Sequence, residues 1–387
     1  MPFASAQSEH PIAALATGEV VGAVFEAIGE RPDLVFISVT RPHAGALDDI
    51  VNTVTSVLHP MAMIGAAAES VVGTGREVEE TPSISLWAGR VGPLLPVTLR
   101  ATRSLDDTWR FDGWPDDLTF EPSALILVAD PFTFPAEHFV SWMDDAHPGL
   151  PIIGGNASAA LGPGGSRLVV DDRIVHEGAV GVLIGSGVEL EMVTSQGCRP
   201  YGRPLTVTKA DRNILFEVAG TPAIEAMVEQ MKGGLSAEDI GRLENNGLHV
   251  GRLIDEHLDQ PGPGDYLVRT VVGVDRTSGA MAVDDRIPLG STVRFHLRDA
   301  ESADLDLRRV LVGHQADGAL MFTCNGRGTR LFDEAHHDAT VLSRQIGPVP
   351  VGGIFAAGEI GPVGGRNFVH SFTASIALFR DRGATGD

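Results

Sequence analysis

A strand, an amphipathic helix and a second strand recur three times along this chain, and that pattern leaves few folds open. Leu34–Val39 is a continuous apolar run. Leu47, Ile50, Val51, Val54, Val57 and Leu58 mark one face of a helix that stops before Pro60, and Met61–Gly65 is a second run. Runs this short, separated by a helical stripe, read as a parallel βαβ crossover of right-handed sense. About 90 residues on, the unit returns as Leu125–Ala129, a helix from Pro135 that carries Phe139, Val140 and Met143, and Pro151–Gly154. The first copy closes on Met-Ile-Gly-Ala-Ala-Ala-Glu and the second on Ile-Ile-Gly-Gly-Asn-Ala-Ser. A third unit follows much later, with Leu320–Cys324, a helix over Glu334–Ile346 and Val351–Ala357. The expected class is therefore α/β, a mixed α+β chain in two layered domains of mixed sheets covered by helices, with an internal βαβ duplication in the N-terminal domain.

Residues 1–10 read as unstructured, and a helical stripe over Glu19–Ile28 ends at Pro32. Gln196–Pro200 reads as turn-rich, Leu205–Thr208 and Ile214–Val218 as a hairpin, and Pro222–Met231 as a helix. A seam near Gly220 divides the chain into 1–220 and 221–387. Gly262–Gly264 and Gly383–Asp387 read as loose linker and tail.

The charge balance narrows function. Twenty-nine basic residues face 51 acidic ones in 387, a net charge of −22, and the pI is about 4.9. Such a field repels a phosphate backbone and an anionic lipid surface, which argues against nucleic-acid and membrane partners. No apolar run approaches the roughly 20 residues of a membrane span, and no basic stretch followed by an apolar one opens the chain. Cys198 and Cys324, the two cysteines, make neither a disulfide framework nor a four-sulfur metal site, so a cytoplasmic protein without a metal is expected.

The third βαβ unit points to a site. Parallel strands joined by a crossover end on one edge of their sheet, where open α/β sheets bind ligands. The loops after its two strands read Cys324-Asn325-Gly326-Arg327-Gly328 and Gly358-Glu359-Ile360-Gly361, the second opening a Gly/Pro stretch, Gly358–Gly365, expected to be loop. Between two glycines, Arg327 offers a fork for a carboxylate, and Glu359 a seat for an ammonium group. Together with Cys324, Asn325, Asn367 and His370 they form the candidate binding set for a small polar metabolite such as an amino acid. An ion pair between Arg327 and Glu359 is the structural alternative. Cys198 and Arg199 form a second candidate cluster. His370, on the apolar face of its strand, and Cys324 are the candidate haem ligands, and a cysteine nucleophile at 324 or 198 is the enzymatic alternative. His336 and His337, adjacent on a helix, share no metal geometry.

The order of several short pieces resembles the FIST-domain proteins, which pair a FIST N with a FIST C domain. The pieces are Ile64-Gly65 followed by Gly75-Arg76-Glu77-Val78-Glu79-Glu80, then Gln196-Gly197-Cys198-Arg199-Pro200 with Thr208-Lys209-Ala210 and Asn213. Thr323-Cys324-Asn325-Gly326-Arg327-Gly328, Gly358-Glu359-Ile360-Gly361-Pro362 and Asn367-Phe368-Val369-His370 with Thr373 complete the set. The resemblance implies an intracellular sensory module for small ligands, with amino acids proposed. It also admits haem-based nitric-oxide sensing, since some relatives bind haem, although no cofactor is otherwise expected. Where relatives are fused to output domains, this chain has no evident room for one. It would signal as a stand-alone sensor through a separate partner protein, or serve as an interaction scaffold.

Overall fold

The computed structural model describes residues 2–106, 108–232 and 235–384, and the residues group into two compact units. One unit joins Met1–Thr194 to Arg308–Asp387; the other is the inserted segment Ser195–Leu307. Gly220, where a seam is expected, lies within the inserted segment Ser195–Leu307.

In the first unit all three crossovers form with their strands in parallel register. Leu34–Thr40 pairs with Ala62–Ala68, Ala124–Ala129 with Ile152–Asn156, and Gly318–Cys324 with Val351–Ala356. The intervening helices are Leu47–Leu58, Ala136–Ala146 and His337–Ile346. Each pair is flanked on both sides by antiparallel strands, so every sheet is mixed. The inner faces share one core, in which Phe36, Trp87, Ile126, Val128, Leu320, Phe322 and Phe379 are wholly buried.

The copies trade hairpins in a ring. The hairpin after copy one, Ser70–Gly73 with Arg76–Glu79, pairs with the second strand of copy three. The hairpin after copy two, Leu168–Val170 with Arg173–Val175, pairs with copy one. The hairpin after copy three, Glu359–Val363 with Arg366–His370, pairs with copy two. The stretch read as a Gly/Pro loop after Gly358 is therefore a pair of strands turning at Gly364 and Gly365, both at positive φ. Its glycines serve the turn and the close packing at Gly361, where a Cβ would lie 2.5 Å from the Thr194 hydroxyl.

One glycine recurs at the same register in each copy. Gly65 faces Ile37, Gly154 faces Leu127 and Gly353 faces Met321 across the parallel pair. A Cβ at any of the three would stand 1.8–1.9 Å from the partner's carbonyl oxygen, so only glycine fits.

The N-terminus is not unstructured. Phe3–Ser8 is an edge strand on Ile84–Gly89, with Phe3 buried against Trp87 and Phe379. The helix that follows runs Ala13–Ile28, starting earlier than its apolar stripe suggested. A further helix spans Ala300–Leu311. Of the expected tail, residues 385–387 lie outside the described residues. No helix among the described residues is long and apolar enough to cross a membrane.

The second unit is a closed antiparallel barrel. Cys198–Asp211, Thr292–Arg298, His249–Leu253, Tyr266–Asp275, Ala280–Val283 and Ile214–Val218 follow one another, and the last pairs back with the first. Closure removes the open edges of the sheet. Tyr201, Leu205, Val207, Leu215, Val250, Met281, Phe295 and Leu297 cluster in its core. The stretch Gln196–Pro200 is strand except at Gly197, because it feeds the long first strand of this barrel.

Candidate functional site

The turn after the third copy's first strand closes through Arg327 N–H donating to the Cys324 carbonyl at 2.8 Å, and Asn325 N–H reaches the Ala356 carbonyl of the neighbouring strand at 3.0 Å. These bonds send the Arg327 side chain inward, where it is wholly buried. Its fork is taken by Asp338: Nε donates to Oδ2 at 2.6 Å and Nη2 to Oδ1 at 2.8 Å. Asp338 stands in the first turn of the crossover helix, where a negative charge also meets the helix dipole favourably. Thr323 and His337 supply further hydrogen bonds to Asp338. The guanidinium lies 5.3 Å from the Phe332 ring centroid, and Phe332 stacks on His337 at 3.5 Å.

Two further carboxyls reach this centre from hairpins of different copies. Glu77, on the hairpin contributed by copy one, accepts from Ala339 N–H at 2.9 Å. Burial, and next the charge of Asp338, push its pKa up to about 8. Glu359 is wholly buried and accepts from the backbone and hydroxyl of Thr373 at 3.1 and 2.9 Å. Burial raises it to about 7, against the Thr373 bonds, the charge of Arg327 and the nearby Cys324 thiol. Burial would also raise Asp338, but the Arg327 charge and hydrogen bonds outweigh it and hold that carboxyl well below the usual range.

Arg327 and Glu359 are thus within electrostatic reach, as their loops require, yet they neither pair with each other nor sit on an open rim. The guanidinium fork expected to be free for a carboxylate is occupied by Asp338, a residue that sequence reasoning missed. What remains are buried polar atoms without a hydrogen-bond partner: Arg327 Nη1, Glu359 Oε1, Glu77 Oε2 and Asn325 Oδ1. Native interiors seldom leave such atoms unsatisfied, which makes these four, on interacting or neighbouring residues, the candidate contacts for a polar guest. Cys324, Asn325 and Gly326 are half-buried and form the side of this centre nearest solvent.

The other predicted residues lie elsewhere or are engaged. Asn367 clamps the second copy: its Nδ2 donates to Asp144 at 2.7 Å and to the Leu150 carbonyl, while its Oδ1 accepts from Ile152 N–H. It does not join Arg327. His370 faces Glu359 in register, but its Nε2 is held by the Gly361 carbonyl at 3.0 Å and the ring is buried. The Cys324 sulfur accepts from Gly326 N–H at 3.4 Å. Neither residue presents an open ligand position to a haem. Cys198 is buried on the barrel's long strand. Arg199 bridges Asp239 and Asp299, a structural tie within that unit.

Glu77 and Thr373 stood among the family-like pieces, whereas Asp338 had a signal only in its place, the first turn of the helix that departs from the same sheet edge. A FIST N domain model matches residues 33–221 and a FIST C domain model residues 202–362. An uncharacterized protein of Mycobacterium bovis is 37% identical over 366 residues, which is 92% of this chain and 92% of that protein. An uncharacterized protein of Mycobacterium tuberculosis matches at the same identity over 366 residues, 92% of this chain and 93% of its own length.

Proposed function

Because the chain belongs to the FIST family, whose domains are sensory modules of signal transduction, we propose that it is a sensory protein whose input is a small polar metabolite bound at the Arg327 centre. The ligand carries an oxygen acceptor for Arg327 Nη1 and a donor for Glu359 Oε1 and Asn325 Oδ1. An amino acid carries both. The reading rests on one observation, the group of unpartnered buried polar atoms at a centre assembled from the hairpins that follow copies one and three and the crossover of copy three. Entry takes place past the half-buried turn Cys324–Gly326, and the occupied state is passed on to a separate partner protein in the cytoplasm.

The test is a thermal-shift screen of the purified chain against the twenty amino acids. A ligand that binds only the folded state raises Tm by mass action. Glu359→Gln keeps an acceptor for Thr373 but replaces the second oxygen with a donor, so the response should vanish with the fold intact. If no amino acid moves the transition of the wild-type chain, this reading is wrong.

A further inference from the structure

A second site stands in the barrel unit, independent of the one above. At one rim of the barrel, the hairpin turn Asp211–Asn213, the loop Asp284–Ser291 and the strand residue Arg252 enclose a cavity of about 480 Å³. That is within the usual size range of small-molecule sites, and barrel mouths are a common place for them. The rim is tied together by Ile287 N–H to the Arg212 carbonyl and Val283 N–H to the Asn213 carbonyl, each at 2.9 Å. Arg212 is held there at φ +53°, a left-handed conformation that a non-glycine residue seldom adopts.

Three arginines, Arg212, Arg252 and Arg286, are among the residues lining this cavity, with two acidic residues, Asp211 and Asp285. Asp285 is committed elsewhere: its Oδ2 pairs with Arg269 at 3.4 Å and its Oδ1 accepts the Arg286 backbone N–H at 2.6 Å. None of the three arginines forms an ion pair among the described residues, and Arg252 Nε is buried with no hydrogen-bond partner. The chain carries 51 acidic residues against 29 basic ones. In such a chain an arginine finds a carboxylate easily, and three without an ion pair lining a single cavity are unexpected unless an anion completes them. Guanidinium forks match the oxygens of phosphate and carboxylate groups in pairs. Ile287, Pro288 and Leu289 add apolar lining.

We infer that this rim binds a small organic molecule through a compact dianionic oxyanion head, a phosphate ester or a dicarboxylate, with its apolar body against Ile287–Leu289. Calorimetric titration of the full chain at fixed ionic strength tests it, with inorganic phosphate, glycerol 3-phosphate and succinate as probes and sodium chloride as the control. Saturable binding of glycerol 3-phosphate and phosphate alone identifies a phosphate site; saturation by succinate alone identifies a dicarboxylate site. Arg252→Gln should weaken the active probe about tenfold or more, as expected for loss of a charged hydrogen-bond donor. The double variant R212Q/R286Q changes only exposed side chains and should do the same without loss of fold. No saturable heat with any probe, or affinities unchanged in both variants, overturns the inference. Because Glu359→Gln alters the other unit only, an amino-acid response lost there leaves this titration untouched.

Discussion

Arg327 and Asp338 meet through two parallel hydrogen bonds of 2.6 and 2.8 Å, with neither side chain more than 1% exposed. Removing one partner leaves the other charged and dry. Asp338→Asn should therefore cost about 3–5 kcal/mol in urea unfolding, and the apolar double variant R327M/D338L should recover most of that loss. A single-variant cost below about 1 kcal/mol would show that the pair is hydrated.

Glu77 and Glu359 titrate higher in the fold than their ordinary value of 4.5, at about 8 and about 7. Between the ordinary and folded values the native chain holds protons that the unfolded chain has released. Stability should therefore fall as pH rises from about 5 to about 8, by an amount on the order of a few kcal/mol, and should be flat in these two groups below their ordinary value. Asp338 acts in the opposite sense, since its lowered pKa makes a contribution that is lost as pH falls through and below its ordinary 3.8. Chemical denaturation across this range should show a downward slope toward alkaline pH that Glu77→Gln reduces. An equal slope in that variant would remove Glu77 from the account.

The three register glycines separate cleanly from two others. Gly154→Ala and Gly353→Ala force a methyl into a carbonyl oxygen, and each should destabilise by roughly 2 kcal/mol or more or prevent folding. Gly18 and Gly22 lie inside the helix Ala13–Ile28 with open space where a Cβ would go. Alanine at either should stabilise by about 0.5–1 kcal/mol, measurable as a rise in Tm.

Cys324 is half-buried, with its sulfur accepting an N–H, whereas Cys198 lies buried in the barrel. Under native conditions a colourimetric disulfide reagent should modify Cys324 first and Cys198 only on opening of the barrel. Bound ligand at the Arg327 centre should slow the first reaction. Simultaneous modification of both thiols would contradict the difference in burial.

Much of this was legible in the sequence because the signal is local. The helix Leu47–Leu58 announces itself by five buried positions on one stripe, and the strands around it by unbroken apolar runs. The mixed α/β character follows from those runs and their spacing. Other features were not legible because their cause is distant. Gly358–Gly365 reads as loop until the partner strand Ile152–Asn156, some two hundred residues earlier, is seen to fix it as a hairpin. Phe3 lends order to the N-terminus only through Trp87 and Phe379. At the site, loop order points Arg327 and Glu359 to one sheet edge, but spacing alone says nothing of depth. The side chain that claims the fork, Asp338, lies on a helix whose orientation no periodicity reports.

The ring of traded hairpins sets the order in which the molecule can be completed during synthesis. The strand Ile152–Asn156 must wait for a segment near residue 360, while the hairpin at Ser70–Glu79 stays without its partner until residue 356 has left the ribosome. Meanwhile the barrel segment has been fully translated. Truncation within the barrel segment therefore leaves Ser70–Gly73, Ile152–Asn156 and Val188–Gln196 each missing a strand partner, a hazard for association with other nascent chains.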